Sequence, residues 1–287
     1  MGYRSKVIYE DKFGGLDFKV KELKIKDVAW RYSVSGQGSE FLLAIMANIG
    51  GHVFALPLAE AFSHKFTTIA LSVPPKPRFA DTAEGLAAIL TAENIPRCNV
   101  IGHSNGTVHL QSLIHTYPTL VNQIVFSHGL TSMHPDDAYT VNASEARVYK
   151  ALKKALKVLP VSVLVKALSR QILKKIVLKA GEAETERMRN ICKAELKRIS
   201  KQDLLTIAEC MEDFLYHYTF TDEPYRHKPE KVLIIDSATD KVVNPMQRAS
   251  MRKLCPQAKE YHFTTGGHLT LVHCQDEYFN VLTDFWE

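Results

Sequence analysis

The sequence predicts an α/β protein in which a mostly parallel sheet is interrupted by an all-helical segment. Eight short apolar runs have the length and composition of strands, and helix-like patterns separate most of them. Strands that alternate with helices favour parallel pairing, because parallel neighbours need a long crossover connection. Between Thr131 and His227 this alternation stops, and helix-forming residues in amphipathic spacing replace it.

The predicted elements follow one another in a regular order, with an antiparallel hairpin first and six parallel strands after it. The predicted strands are Lys19–Ile25, Val28–Val34, Phe41–Met46, Phe66–Leu71, Cys98–Ile101, Gln123–Ser127, Lys231–Ile235 and Lys259–Phe263. The predicted helices outside the helical segment are Leu56–Phe62, Thr82–Leu90 after the cap Asp81, Asn105–Tyr117, Pro245–Leu254 and Glu277–Phe285. We therefore expect one core, residues 1–130 and 228–287, with residues 131–227 inserted after the sixth strand.

Composition places the chain among ordinary globular proteins. Its 287 residues are 46% hydrophobic and 23% charged, which excludes the composition of a disordered chain. The five cysteines are scattered without a C-x-x-C pair, and no H-E-x-x-H spacing occurs, so we expect no disulfide framework, metal or cofactor. No apolar run approaches the roughly 18 to 20 residues of a membrane span, and no apolar leader opens the chain. These features favour a cytoplasmic location.

A Gly-x-Ser-x-Gly motif, Gly102–Gly106, is the most informative local feature. It stands directly after a predicted strand and directly before a predicted helix. A serine on such a sharp turn is held in strained backbone geometry, and the flanking glycines avoid collisions with the strand and helix beside it. The motif therefore predicts that Ser104 is a nucleophile, and that the backbone N–H of Asn105 is available to an oxyanion.

A serine nucleophile requires a histidine base and a carboxylate that orients this base. Asp240 follows the seventh apolar run, at the position where a strand ends and a loop begins. His268 follows the last predicted strand, after two glycines that allow the loop to approach the serine. The order Ser, Asp, His is the order of the α/β type of serine hydrolase.

Rival residues exist for the acid and for the base. Asp236 continues the strand directly and so lies early in the turn, whereas Asp136 and Asp137 open the helical segment. His273 falls in an apolar stretch, where a buried structural histidine is the simpler interpretation. His103, next to the serine, is interpreted as a packing residue of the turn.

The Gly102–Gly106 motif, Asp240 after its strand and the Gly267-His268 pair together resemble the α/β-hydrolase superfamily, from about Gly36 to the C-terminus. The resemblance implies the α/β-hydrolase fold, with the helical segment as its cap. It further implies a serine hydrolase that cleaves a small-molecule ester, thioester or lactone through an acyl-enzyme. His268 would act as general base and then acid, and Asp240 would fix its tautomer. Ser104 at the motif's centre argues against the branches that use a carboxylate nucleophile.

The sequence departs from this family at two positions. Many members carry a His-Gly dipeptide after the third strand of the family's sheet, and the corresponding stretch Ala47–His52 lacks it. Asn48 tolerates left-handed backbone angles, so we expect the Ile49 N–H to be the second oxyanion donor. Thr107 stands where many relatives have a smaller residue, and it is expected either to tighten packing or to add a hydroxyl near the site.

A binding protein is the alternative to an enzyme. Residues 255–267 resemble the same stretch of maspardin, an α/β-hydrolase-like protein regarded as a binding module. This alternative is a catalytically weak protein of the same fold that serves as a small-molecule receptor or an interaction module. The presence of Ser104, Asp240 and His268 in one chain favours the enzyme.

The net charge of +5 is concentrated in the helical segment. Between Arg147 and Gly181 there are ten basic residues and no acidic residue. Apolar residues at helical spacing predict two basic amphipathic helices that are broken near Pro160. We expect the basic residues to be solvated, or the segment either to contact an anionic membrane or to bind an acidic or acyl substrate beneath its apolar face. The mild total charge argues for no nucleic-acid partner.

The rest of the helical segment divides into two parts. From Glu182 to Lys201 the charges are mixed, which is typical of a solvated helix. Leu204–Tyr218 is richer in apolar and aromatic side chains. It is a candidate lining for the substrate pocket, with core packing as the alternative.

Overall fold

The computed structural model describes residues 3–46, 51–74, 78–178 and 181–287, and their strands form one sheet. The strands are β1 Lys6–Phe13, β2 Leu16–Ile25, β3 Val28–Ser35, β4 Glu40–Ile45, β5 Phe66–Leu71, β6 Cys98–His103, β7 Val121–Ser127, β8 Val232–Ser237 and β9 Lys259–Phe263. Their order across the sheet is β1-β2-β3-β5-β4-β6-β7-β8-β9. Pairing is antiparallel from β1 through β3 to β5, and parallel from β5 through β4 to β9.

Helices connect these strands and cover the sheet. They are α1 Gly51–Phe54, α2 Leu56–Ala61, α3 Asp81–Ala92, α4 Asn105–Thr116, α5 Ala143–Val158, α6 Val161–Lys175, α7 Glu182–Lys197, α8 Lys201–His217, α9 Glu223–Arg226, α10 Pro245–Leu254, α11 Thr270–His273 and α12 Gln275–Trp286. Short 3₁₀ turns complete the described structure at Pro118–Leu120, Pro135–Ala138, Pro229–Lys231 and Gly267–Leu269.

The predicted α/β class with a mostly parallel sheet is confirmed, but the described residues form nine strands and not eight. The additional strand, β1, lies at the edge of the sheet, where only Phe13 of its residues is buried. Charged residues are frequent on edge strands, because they oppose pairing with other chains. Because of these charged residues, β1 lacks the alternation of apolar and polar side chains by which a strand is recognised in a sequence. The helical segment consequently follows the seventh strand of the sheet and not the sixth.

The start of α3 differs from the prediction by one residue. Asp81 was expected to be the cap before the helix, but the helix begins at Asp81 and Ala80 precedes it without a side-chain cap. In the first turn the carboxylate of Asp81 is favoured by the helix dipole, and it pairs with Arg78 at 3.2 Å.

Regular structure in the described part of the helical segment is helical throughout. Pro160 immediately precedes α6, so the predicted break between the two basic helices is confirmed. The charged residues after Glu182 are mostly exposed, as expected of a solvated helix, but α7 also buries one face that the prediction did not include. This face packs against apolar side chains of β1 and β2, including Phe13 and Phe18. The buried residues of α7 are Thr185, Met188, Cys192 and Leu196.

Helix α8 contributes mainly to the core. Ala208, Met211 and Phe214 are buried in the same apolar cluster as residues of α3, α4 and the central strands. Phe214 lies 5.1 Å from the ring of Phe79. Of the two interpretations of Leu204–Tyr218, pocket lining and core packing, these contacts support core packing.

Apolar side chains cover both faces of the sheet. In β4, Leu43 and Ile45 face the cluster that contains α3, α4 and α8, whereas Leu42 and Ala44 face the cluster that contains α2 and α12. Alternate residues of a strand point to opposite faces, and a parallel sheet is buried on both. The carboxyl ends of the strands are therefore the part of the sheet left for a site.

Candidate active site

Four neighbouring strands, β6 to β9, end at the same edge of the sheet, and polar residues gather there. His103 is the last residue of β6, and His128 directly follows β7. Asp240 lies in the loop after β8, and His268 lies in the loop after β9. The crevice at the carboxyl ends of parallel strands is where α/β proteins bind their ligands.

Ser104 occupies the turn between β6 and α4 with φ 54° and ψ −128°. A non-glycine residue rarely adopts these angles, and strain of this kind is concentrated at functional sites. Two backbone hydrogen bonds hold the turn, from the Ser104 N–H to the Ser127 carbonyl and from the Thr107 N–H to the Ser104 carbonyl, both 3.0 Å long. A Cβ at position 106 would lie 1.8 Å from the carbonyl oxygen of Ile45. Only glycine therefore fits there.

Thr107 is fully buried behind this turn. Its hydroxyl lies 2.7 Å from the carbonyl oxygen of Ser104 and accepts the N–H of Leu130 at 3.2 Å. Of the two roles expected for Thr107, packing between the helix and its surroundings is the one that these contacts support.

The Asp240 carboxylate is buried and accepts four hydrogen bonds. Its Oδ2 accepts Nδ1–H of His268 at 2.9 Å and Nδ1–H of His128 at 2.8 Å. Its Oδ1 accepts the backbone N–H groups of Val242 at 2.8 Å and Val243 at 3.1 Å. Burial acts to raise the pKa of Asp240, but the hydrogen bonds from the two histidines outweigh it and hold this pKa well below its ordinary value. Asp240 is therefore ionised at neutral pH.

His128 is fully buried, and both of its ring nitrogens have partners. Its Nε2 lies 2.8 Å from the hydroxyl of Thr270. Burial lowers the pKa of His128 below its ordinary value, although the hydrogen bond to Asp240 opposes this. The neutral ring then donates Nδ1–H to Asp240 and accepts the hydroxyl proton of Thr270 at Nε2.

His268 differs from His128 because it uses a single ring nitrogen. With Nδ1–H donated to Asp240, Nε2 is the unprotonated nitrogen of the neutral ring. Within the described ranges Nε2 makes no hydrogen bond, and the side chain is partly exposed. His268 is therefore the histidine whose second nitrogen is free to accept a proton.

His103 completes a group of three imidazoles around Asp240. Its ring centroid lies 4.9 Å from that of His268 and 5.4 Å from that of His128. Burial lowers the pKa of His103 well below its ordinary value, and the neighbouring histidines lower it further. A buried, neutral ring that packs against its neighbours agrees with the packing role predicted for this residue.

Helix α5 of the helical segment lies against the site. The side-chain amide of Asn105 donates to the hydroxyl of Tyr149 at 2.6 Å. Glu145, one turn earlier in α5, interacts electrostatically with His268. Burial raises the pKa of Glu145, and His268 opposes this shift. The helical segment therefore supplies polar groups beside the predicted nucleophile.

Only one of the two predicted oxyanion donors, Asn105, lies among the described residues. Asn105 is the first residue of α4, so its backbone N–H has no acceptor within the helix. Ile49, the other expected donor, lies outside the described residues. In the described part of the chain no hydrogen bond joins the Ser104 hydroxyl to His268; such bonds are often long in free enzymes and tighten when substrate binds.

The rival acids are engaged elsewhere. The carboxylate of Asp236, within β8, pairs with Arg252 at 2.6 Å and also contacts His262. Asp137 accepts the backbone N–H groups of Met133 and His134, directly before a 3₁₀ turn, and Asp136 is exposed in that turn.

The rival base His273 was expected to be a buried structural residue, and this expectation was wrong. The side chain is exposed, with Nδ1 at 3.0 Å from the carbonyl oxygen of Gly266 and Nε2 at 3.2 Å from that of Lys175. It lies in the short helix after the 3₁₀ turn that carries His268, and faces away from the core.

His128, Thr270 and Tyr149 are site residues that the sequence patterns missed. For His128 a signal was available, because it is the first residue after a buried strand, at the edge where Asp240 and His268 also lie. The other two come from helices whose packing no local pattern reveals.

One group of described side chains has the donors to hold a metal ion, namely His128, Asp240 and His268. Their ligand atoms all lie within 4.8 Å of one another. Two imidazoles and a carboxylate suit zinc or iron. No metal spacing was visible in the sequence, because Asp240 lies 112 positions from one histidine and 28 from the other. The hydrogen bonds that the two histidines make to Asp240, and that His128 makes to Thr270, explain without a metal why these side chains lie together.

Comparison with known proteins identifies the family. Residues 45–272 match the family described as alpha/beta hydrolase fold. The chain belongs to the alpha/beta hydrolase family. A segment of 63 residues is 38% identical to a protein of Pantoea ananatis named as the carbamate hydrolase RutD, and this match covers 22% of the chain and 23% of the relative's length.

Solved structures of other proteins share the fold. A hydrolase of Pseudomonas aeruginosa aligns over 93% of this chain and 98% of its own, with a TM-score of 0.68 and 16% identity. An epoxide hydrolase of Bacillus megaterium aligns over 92% and 99%, with a TM-score of 0.70 and 16% identity. The meta-cleavage product hydrolase of Pseudomonas fluorescens aligns over 98% and 97%, with a TM-score of 0.64 and 14% identity.

Membership of this family confirms the fold that the sequence resemblance implied. It also supports the expectation that the protein is an enzyme of the hydrolase class. In the described ranges no helix combines the length and the apolar character that crossing a bilayer requires.

Proposed function

We propose that this alpha/beta hydrolase is a serine hydrolase that cleaves an ester, thioester or lactone through an acyl-enzyme. The observation that carries the proposal is the 2.9 Å hydrogen bond between Asp240 and His268, at the sheet edge where Ser104 occupies its strained turn. Serine, histidine and an ionised carboxylate are the three groups that this chemistry needs.

In the proposed reaction, Nε2 of His268 removes the Ser104 hydroxyl proton as Oγ attacks the carbonyl carbon of the substrate. The backbone N–H of Asn105, with that of Ile49, stabilises the oxyanion. His268 then donates the proton to the leaving group, and the acyl-enzyme forms. Water, deprotonated by His268, releases the acid and restores Ser104. Asp240 holds the His268 tautomer and stabilises the imidazolium.

Residues 131–227 serve in this proposal as a cap over the site. Tyr149 and Glu145 of α5 are the groups by which the cap would contact a substrate. The small-molecule substrate is an acyl compound, and the name of the Pantoea relative adds carbamates to the compounds worth testing. We also propose a cytoplasmic location, because the five cysteines are free thiols, four of them buried.

Labelling with a fluorophosphonate probe tests the nucleophile. We expect the wild type to be labelled covalently and Ser104→Ala to be unlabelled, with Ser39→Ala as the matched control at an exposed serine. His268→Gln and Asp240→Asn should label slowly, because both leave the serine without an oriented base. A panel of aryl esters, thioesters, lactones and carbamates then identifies the bond that is cleaved.

Two outcomes would contradict the proposal. One is an unlabelled wild type that is folded by circular dichroism, and the other is equal labelling of wild type and Ser104→Ala. Either result would favour the alternative, a protein of this fold that binds a small molecule or a partner without efficient catalysis.

A further inference from the structure

The turn between α5 and α6 exposes apolar side chains to solvent. We call Val158, Leu159, Pro160 and Val163 the α5–α6 tip. Val158 is 79% exposed, Val163 50% and Leu159 41%. Single exposed apolar residues are ordinary, but several at one turn indicate a surface that contacts something apolar.

Basic residues flank the tip on both helices. Lys166, Arg170 and Lys174 are exposed in α6 and four positions apart, so they share one helix face. On the helical repeat Val163 falls on this same face. In α5, Lys154 and Lys157 are exposed next to Val158. The tip is thus apolar at its end and cationic immediately behind it.

Among the described residues, few basic side chains of α5 and α6 pair with an acidic side chain. Among the basic residues that the structure describes between 147 and 175, ion pairing is recorded for Lys153 alone, with Glu212. Like charges four positions apart repel and destabilise a helix. Without acidic side chains in this stretch, an anionic partner from outside would relieve the repulsion.

The opposite face of α6 is anchored. Val165 and Leu168 pack against the apolar cluster that α7 forms with β1 and β2. The protein therefore holds α6 with its cationic face outward. Val163 is exposed on this cationic face, so the apolar residues of α6 do not all pack against the protein.

We propose that the α5–α6 tip docks on an anionic lipid bilayer. Valine and leucine side chains would enter the boundary between headgroups and acyl chains, and the lysines and arginines would contact the phosphates. A nucleic acid fits less well, because the apolar side chains at the end of the tip would make no contact with phosphate. This proposal does not depend on the catalytic one, since binding is measured without substrate.

Vesicle flotation tests the docking. We expect the wild type to float with vesicles of phosphatidylcholine and phosphatidylglycerol, and to remain unbound with phosphatidylcholine alone. Lys166→Gln with Arg170→Gln should lower the partition coefficient roughly five-fold for each charge removed. Lys228→Gln with Lys253→Gln removes the same charge from exposed positions outside α5 and α6, and should bind like the wild type. Val158→Ser with Val163→Ser should also weaken binding.

Several results would overturn the proposal. These are equal loss in the Lys228 and Lys253 control, equal binding to neutral vesicles, and unchanged binding after both valine substitutions. Stronger binding to a DNA duplex than to the anionic vesicles would assign the basic surface to nucleic acid. Ser104→Ala should float like the wild type, so failure of the catalytic proposal and failure of this one are distinguishable.

Discussion

Two histidines donate to a single carboxylate oxygen in this site, and the consequence concerns His268. Each N–H that Asp240 accepts disperses part of its negative charge, so the N–H of His128 reduces the charge available to stabilise a protonated His268. Asp240 and His268 could be predicted because each follows a recognisable strand. His128 could not be tied to Asp240, because their contact depends on β7 and β8 being neighbours.

Substituting His128 tests its role as a residue that positions Asp240. In His128→Phe the ring no longer donates, and we expect kcat to fall by up to about a hundred-fold with little change in KM, because small displacements of catalytic groups are costly. Without this donor the negative charge of Asp240 is less compensated, so it attracts protons to the site more strongly. The acid limb of the pH–kcat/KM profile should therefore move to higher pH.

His128→Gln is the matched variant, because its amide can still donate to Asp240. We expect it to restore part of kcat and the position of the acid limb. If Phe and Gln variants lose activity equally and the acid limb stays in place, His128 supports the fold only. Chemical denaturation of both variants measures that contribution separately.

At the scale of elements, the strand–turn–helix unit around Ser104 was the most predictable part of the molecule. The apolar run of β6, the glycines and the periodic helix α4 all agreed, and consistent local signals of this kind specify a structure. Edge strand β1 and the buried face of α7 have no such consistent local signals, and they were not predicted. Their apolar residues are few, and these residues share one apolar cluster with side chains of β2, α1 and α2 that mostly lie far away in sequence.

Gly106→Ala tests the close approach of α4 to β4. The added Cβ would meet the backbone of Ile45, which cannot move without shifting the strand. We expect the free energy of unfolding to fall by about 1–3 kcal/mol and the labelling of Ser104 to be lost. Gly15→Ala, where the new Cβ has open space, should stay within about 0.5 kcal/mol of the wild type. Urea unfolding compares both; equal stability would refute the packing argument.

At the scale of the whole molecule, sheet order and helix packing bring distant histidines into the interior. His52, His103, His109 and His128 are all buried, and burial lowers the pKa of each. None of this was visible in composition, which counts twelve histidines without placing them. The parallel sheet and the class of the fold were predictable because periodicity is local. The environment of each histidine was not, since it is created by segments far apart in sequence.

These buried histidines predict that the protein loses stability in mild acid. Burial lowers the pKa of His109 from 6.5 to about 3. Between these values the unfolded chain binds a proton that the folded chain does not, so the free energy of unfolding falls as pH falls. For one such group the slope is about 1.4 kcal/mol per pH unit. Above pH 6.5 the ring is neutral in both states, and His109 adds no pH dependence.

Urea unfolding between pH 7.5 and about 4.5 measures this slope, in a range where most carboxylates are still ionised. His109→Gln should make the decline shallower by about 1.4 kcal/mol per pH unit. His227→Gln, at an exposed position, is the control and should follow the wild type. If His109→Gln keeps the full slope, the His109 ring takes up its proton in the folded state, and the acid sensitivity has to come from the other buried histidines.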